Sequence, residues 1–469
     1  MHDPAPDGGP TDRLAGWIAG LRFDDIPTAA IERIKLLMLD SFGCALFAAG
    51  LPWSRLLRET LGAIDNTTPG CAVWGTGERL SAPHAALVNG TLVQGFELDD
   101  VHRVGVLHVG AVTLPAIAAI AAETHPGMSG RDLLTAAIAG YETGPRVGLC
   151  MGPEHIGQGW HSGATVGVFS AVAGAARALG LDPARTADAI GMAATQSSGL
   201  MAAQYGAMVK RMHAGHAARS GVLSALLAAR GFTGIGGVFE APYGGFCTTF
   251  SRSEDRFDLT QLAGGLGTRW ETLRIALKFY ACVGSNHTTL DAIRMLQADH
   301  PFGPDDVAAI TVHGSRVTVD HVGWPYRPDG LTAAQLNLPY CVATLLLEGD
   351  AFVDQFTEAT VADPARMALA ARVAVREDPA ITARGRTARH AVRVAVTLRD
   401  GTVLRQAVEA PRGSEESFAS ADEVIAKFHK LAARRLAPTH AERIVALTMT
   451  LENLRDAGDL LAALAGGSA

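Results

Sequence analysis

QGFELDDVHRVGVLHVGAVT, residues 94–113, decides how the rest of the chain is read. Glu97, Asp99, Asp100, His102, Arg103 and His108 fall within twelve positions of one another, between two apolar stretches. Upstream, SAPHAALVNGTLVQGFELDD carries small and apolar residues at helical spacing, with Ser81 and Pro83 near its start. Downstream, LPAIAAIAAETHPG is so uniformly apolar that it predicts a buried helix. Between them VHRVGVLHVGA holds two glycines and fits a turn. Carboxylates and imidazoles therefore sit between two buried helices, at the mouth of a core. Alone, such a loop is a solvated connection. The flanking segments change that reading.

GPEHIGQGWHSGATVGVFSAVAGAARALG places His161 where a Gly-rich loop turns into a small-residue helix. Free N–H groups and the positive dipole end at such a start favour a bound carboxylate. YGAMVKRMHAGHAARSGVLSALLAARGFTG is basic where it begins, with Lys210, Arg211, His213, His216 and Arg219. Lys210 and Arg211 are expected just ahead of a helix, well placed to hold acidic substrate groups. His213 and His216 share a face, but the pair lacks a carboxylate or third imidazole to complete a metal site. TRWETLRIALKFYACVGSNHTTLDAIRML puts His287 at another loop-to-helix junction, and LNLPYCVATLLLEGD puts Tyr340 in an apolar helix.

At 469 residues the chain is too long for one ordinary core. After a disordered tip of about ten residues, TDRLAGWIAGL reads as a short helix capped by Thr11 or Asp12, and Pro27 opens a longer one. GCAVWGTGERLS is a turn or short extended piece, and GRDLLTAAIAGYETGPRVGLCM is a helix interrupted near Gly144-Pro145. Near residue 265 the texture changes. DDVAAITVHGS predicts a strand, VGWPYRPDGL a loop, and AVRVAVTLRDGTVLRQAV a β-hairpin turning at Asp400-Gly401. Helical patterning returns in ADEVIAKFHKLAARRL and HAERIVALTMTLENL. The expectation is a mainly α chain: a large helical domain in residues 1–266, an inserted smaller α+β domain in 267–410, and a helical return in 411–469.

Hydrophobic residues make up 48% of the chain and charged ones only 19%, which suggests a surface partly covered by another subunit. A net charge of −7 without a basic stripe argues against nucleic acid. None of the six cysteines pairs as CxxC, so they read as small core residues in a reducing compartment. MHDPAPDGGPTDR has neither basic nor apolar leader regions, and no apolar run reaches transmembrane length unbroken; a cytoplasmic protein without a membrane partner is expected. No phosphate-binding glycine fingerprint follows a predicted strand, and no serine nucleophile elbow occurs. What remains suits acid–base chemistry on an anionic substrate: cations to hold carboxylates, and imidazole, amine or phenol groups to move protons.

FELDDVH...LHVGAVTLPA, GWHSGATVG, GAMVKRMHAGHAARSGVLSALLAARGFTG, KFYACVGSNHTTLDA and NLPYCVATLLLEGD follow one another in an order that resembles the MmgE/PrpD family. That family includes 2-methylcitrate dehydratase, cis-aconitate decarboxylase and iminodisuccinate epimerase. The resemblance runs over nearly the whole chain. It implies a helical domain, a smaller α+β lid, a site between them that uses no metal or other cofactor, and a homodimer. In the decarboxylase branch the site positions fall on Glu97, Val101, His108, His161, Lys210, His287 and Tyr340. The family's Asp is Glu97 here and its Thr is Val101; Val109 stands where Pro is more usual, and Gly284 where many members carry Arg.

The expected substrate is a small di- or tricarboxylate, attacked next to a carboxylate by dehydration, decarboxylation or epimerisation. His108, His161, Lys210, His287 and Tyr340 are the expected catalytic residues, with Glu97, Asp100, His102, Arg211 and His213 around the substrate. Lys210 and His161 are assigned to charge stabilisation, His108 and Tyr340 to proton transfer, His287 to closing the site, and Glu97 and Asp100 to orienting histidines. Two other classes stay open: a metal-dependent hydro-lyase using the imidazoles at 102, 108, 213 and 216, and an inactive helical dimer serving as a scaffold.

Overall fold

The computed structural model describes residues 8–65, 70–152, 154–385 and 388–466, and the fold is mainly α-helical. Residues 1–7, which hold most of the expected tip, lie outside the described residues. The first helix, Pro10–Gly20, corrects the capping expectation: Pro10 opens it after Gly9, and no side chain caps it. Thr11 is instead buried within the helix and donates to Glu240 Oε2 at 2.5 Å.

The helical body is built around Thr28–Ala48, Ala82–Val93, Val109–Thr124, Gly130–Met151, Gly167–Ala178 and Val209–Ala229. Small residues let these helices approach more closely than side chains would allow. A Cβ on Gly215 would lie 2.0 Å from the Leu87 carbonyl oxygen, and one on Gly90 would lie 2.7 Å from Gly215 Cα. Ala82–Val93 and Val209–Ala229 thus cross at backbone contact. That crossing brings Lys210, in the first turn of one, beside Glu97, just past the end of the other.

Gly130–Met151 runs straight through Pro145, where an interruption was expected. Proline removes one helical hydrogen bond and its ring crowds the carbonyl one turn back, a cost that packing must offset. Here the flanking turn is closely packed by its neighbours, for a Cβ on Gly144 would meet Leu107 at 2.5 Å and Ser170 at 2.6 Å.

Beyond residue 300 a four-stranded sheet forms, in the order Val373–Glu377, Val307–Gly314, Val392–Leu398, Val403–Val408. The first pair is parallel and the others antiparallel, with Gly401 at φ +91° in the hairpin turn. Strand Val373–Glu377 was not anticipated: it is short, at the sheet edge, and half exposed, so it carries little alternation. Helix His287–Asp299 packs on the sheet. Ala421–Ala432 returns to pack on Thr28–Ala48, and its buried Lys427 reaches Asp40 at 2.5 Å. GCAVWGTGERLS forms the two-residue strands Cys71–Ala72 and Arg79–Leu80. All six cysteines are free and buried. Among the described residues no single helix is long and apolar enough to cross a membrane.

Candidate active site

The 94–113 loop is held in a conformation its residues would not choose. Glu97 has φ +56° and Val106 φ +51°, two of the three described non-glycine residues in the left-handed region. Long-range anchors impose this. Val106 accepts a hydrogen bond from Ser162 Oγ at 2.5 Å, which ties the loop to the turn carrying His161. Val101–His102 pairs with Ile275–Ala276, which ties it to the chain leading into the sheet. Asp100 accepts from the Gly110 N–H at 2.9 Å and from the Tyr141 hydroxyl at 2.8 Å. His102 Nδ1 accepts from the Gly105 N–H at 2.9 Å, so its proton lies on Nε2, which faces Glu271 at 3.1 Å.

With the loop so fixed, Glu97 and Asp99 enter a buried group of cations. Lys210 Nζ pairs with Glu97 Oε1, and Arg211 Nη1 meets the same oxygen at 2.9 Å. Lys278 Nζ stands 3.8 Å from Glu97 and 3.5 Å from Asp99. His108 Nδ1 lies 3.0 Å from Asp99 Oδ2, an ion-pair distance without hydrogen-bond alignment. His161 and His213 face each other with ring centroids 4.8 Å apart. Arg211 also reaches Thr332 at 3.2 Å and Gln335 at 2.8 Å, and so connects the helical body to the second half of the chain.

Charge in this group is unbalanced. Burial would push the Glu97 carboxyl up, but Lys210, Lys278 and Arg211 hold it well below its usual range. Asp99 is likewise held down against burial by His108 and Lys278. Two carboxylates therefore stay ionised beside Lys210, Arg211 and Lys278. Burial, reinforced by Lys210, keeps His161 well below the usual imidazole value, and lowers His213 to about 4, so both are neutral at pH 7. Lys278 Nζ, His161 Nδ1 and His213 Nδ1 are buried without a hydrogen-bond partner. Buried polar groups are almost always satisfied, so three unpaired donors or acceptors beside one ion cluster make it the candidate site.

Among the described residues, the other expected site residues make their hydrogen bonds outside this group. Asp100 turns into the core and touches no histidine; its neighbour Asp99 is the carboxylate beside His108. His102 has both ring nitrogens engaged within its own loop and with Glu271. His287, 2% exposed, turns Nε2 to the Cys282 carbonyl at 3.2 Å. Tyr340 donates its hydroxyl to the Thr360 carbonyl at 2.9 Å and packs on Tyr326. No hydrogen bond or ion pair joins either of these to Lys210, His108 or His161 among the described residues. Lys210 and Arg211 sit inside the first turn of Val209–Ala229, not ahead of it. Of the imidazoles considered for a metal, His216 is spent on the Gln196 carbonyl and Ser198. No group of three His, Cys, Asp or Glu able to hold a metal occurs among the described residues.

Lys278 went unnoticed in the sequence reading. Its signal is a lone ammonium inside the apolar run IALKFYACV, where only a buried charged partner makes it tolerable.

Comparison with known proteins gives this geometry a family. The model of the MmgE/PrpD N-terminal domain matches residues 12–258, and that of the MmgE/PrpD C-terminal domain matches residues 280–453. The chain belongs to the MmgE/PrpD family. Among its relatives is a cis-aconitate decarboxylase-like protein of Aspergillus oryzae, 36% identical over 484 residues, covering 99% of each chain. A cis-aconitate decarboxylase of Aspergillus terreus is 34% identical, covering 97% of this chain and 95% of the relative. The Mus musculus cis-aconitate decarboxylase is 26% identical, covering 98% and 94%. This MmgE/PrpD protein is therefore an enzyme chain matched along its full length, and its Glu97 cluster joins the N-terminal match to Lys278, which lies between the two matched segments.

Proposed function

We propose that this MmgE/PrpD enzyme is a lyase that decarboxylates a small tricarboxylate of the cis-aconitate class without a resident metal. The observation that carries the reading is the buried excess of positive charge: Lys210, Arg211 and Lys278 against Glu97 and Asp99. A buried, uncompensated cation is costly, and a carboxylate ligand removes that cost. The decarboxylase names of the relatives point the same way.

Decarboxylation of an allylic tricarboxylate breaks one carbon–carbon bond. The electron pair released forms a new double bond, and the former double bond delivers its pair to a carbon next to a second carboxylate. That carbon must take up a proton. In this reading the Lys210, Arg211 and Lys278 side chains bind carboxylates and stabilise the charge developing there, which costs no reorganisation because the cluster is already built. His108, whose Nδ1 lies 3.0 Å from Asp99 Oδ2, is the proton donor. Neutral His161 and His213 donate or accept hydrogen bonds without adding charge. Glu97 holds the lysines in place. His287 and Tyr340, on the 267–410 segment, act as parts of a lid that closes over residues 1–266 and 411–469. The exposed Leu200, Tyr205, Met208 and Val209 suit a homodimer face, and the protein works in the cytoplasm.

Incubation with a panel of polycarboxylates, followed by proton NMR in deuterated water, tests this. Loss of carbon dioxide with one deuterium incorporated next to a carboxylate is expected, surviving prolonged chelation. Loss of water instead would make it a dehydratase, and exchange alone an epimerase. No turnover of any member of the panel would overturn the reading, and activity lost on chelation and restored by a divalent ion would overturn metal independence.

A further inference from the structure

Arg389 ends the turn before strand Val392–Leu398, and its guanidinium meets no carboxylate among the described residues. Its Nε donates to His390 Nε2 at 3.0 Å. The charged group that acts on it is another cation, Arg103, whose own charge is met by Glu415 at 2.8 Å and Glu416 at 2.7 Å. His390 is only 4% exposed. Because its Nε2 accepts, its proton lies on Nδ1, which is buried and has no partner. Beyond that one bond, the Arg389 terminal nitrogens and the His390 Nδ1–H stand side by side with no protein acceptor among the described residues.

Their place relative to the Glu97 cluster follows from a short chain of contacts. The Arg389 carbonyl accepts from Ser315 Oγ at 2.7 Å and Thr318 Oγ1 at 3.0 Å. These residues begin helix Arg316–Val322, which carries His321. His321 Nδ1 meets Ser285 Oγ at 3.2 Å, in the turn that opens the helix of His287; Val283, just ahead of that turn, donates its N–H to the Gln335 carbonyl at 3.1 Å, and the Gln335 side chain accepts from Arg211 of the cluster at 2.8 Å. Burial and then the charges of Arg389 and Lys210 lower His321 to about 4, against the opposing effect of Glu97. One imidazole thus feels the cation of the sheet half and the cluster of the helical half together.

We infer that Arg389 and His390 form a second carboxylate subsite, facing the Glu97 cluster across His321, which selects substrates carrying a further carboxylate remote from the reacting one. The inference rests on the polycarboxylate reading above and adds the residues that set its specificity. A guanidinium fork holds a carboxylate with two parallel hydrogen bonds, and His390 Nδ1–H supplies a third donor. A substrate without that carboxylate leaves these donors unpaired, and sites of this kind discriminate strongly.

Calorimetric titration with two unreactive ligands separates the possibilities. Propane-1,2,3-tricarboxylate and 2-methylbutanedioate differ by one terminal carboxylate. In Arg389→Met the Kd for the tricarboxylate is expected to rise by about 30-fold or more, while that for the dicarboxylate changes less than about threefold. Arg389→Lys keeps the charge but not the fork, and is expected to lose about tenfold for the tricarboxylate alone. This second variant decides the matter if the first fails to fold. Unchanged affinity, or equal weakening of both ligands as from a structural role, overturns the subsite. Wild-type protein that binds neither ligand overturns the polycarboxylate reading itself.

Discussion

Glu142 and Glu97 are both enclosed glutamates on the helical body, 1% and 2% exposed, yet they end on different partners. Glu142 accepts from the backbone N–H groups of Glu271 and Thr272 at 3.0 and 2.8 Å and from the Thr272 hydroxyl at 2.7 Å. Its neighbour Arg146 gives its terminal nitrogens to the carbonyls of Gly264 and Arg269 at 2.7 and 2.6 Å. Charge there is absorbed by main chain, and it staples Gly130–Met151 to the segment leading out of the body. Among the described residues Glu97 pairs with the side chains of Lys210, Arg211 and Lys278, and orphaned imidazoles lie close by. Ions that terminate on backbone hold a fold together. Ions that terminate on other ions, with donors left over, are what the proposed site would use on a carboxylate.

Lys210→Met tests the second half of that contrast with the largest effect. Turnover is expected to fall by about two to three orders of magnitude, as for a lost electrostatic donor. The unfolding midpoint should barely move, because burial already disfavours this ammonium and Arg211 and Lys278 remain beside Glu97. Kinetics and thermal unfolding on one preparation check both; an active, normally stable variant would remove Lys210 from the site. Glu142→Ala should do the reverse. Stability is expected to drop by about 3 kcal/mol as Arg146 and two N–H groups lose their partner, while kcat per folded molecule stays near wild type. Denaturant melts with active-site titration read this, and a collapse of kcat in a stable Glu142→Ala would erase the distinction.

Lys278→Met sharpens the comparison through pH. Without that ammonium, Asp99 and Glu97 regain protons at higher pH, so the acid side of the kcat/KM profile should move to higher pH. A profile that superimposes on wild type would take Lys278 out of the electrostatics.

The smallest effect separates two adjacent residues. Burial raises Asp100 to about 7 in the folded protein. Its contribution is therefore fully present below about pH 4, its ordinary value, and is lost as pH rises through 7. Asp99 is depressed, so its contribution is present above the ordinary value and lost as pH falls. Asp100→Asn keeps the Gly110 hydrogen bond and should flatten the decline in unfolding temperature between about pH 4 and 7; Asp99→Asn should leave that decline in place. Identical slopes in the two variants would contradict the assignment.

Much of the fold was legible because it is local. Apolar residues at helical spacing announced Val109–Thr124 and Val209–Ala229, and Asp400-Gly401 between alternating runs announced the hairpin. Strand Val373–Glu377 was missed because its reason for existing is the neighbour it pairs with. Pro145 stays helical because surrounding helices, not its own propensity, hold the turn. In the site, the chain order of motifs pointed to His108, His161, Lys210 and Glu97, since each sits where a turn meets an apolar helix.

The sequence by itself determined which segments are helical, where the sheet begins, and that imidazoles and lysines cluster at helix starts; these depend on periodicity and turn chemistry within a dozen residues. Only the tertiary structure decided that Asp99 and not Asp100 faces His108, that Lys278 completes the cluster, and that Arg389 stands without an acid partner among the described residues. The physical reason is the same for all three. A charge takes its role from groups within a few ångströms, and Tyr141, Lys278 and Arg103 come to Asp100, Glu97 and Arg389 from far along the chain.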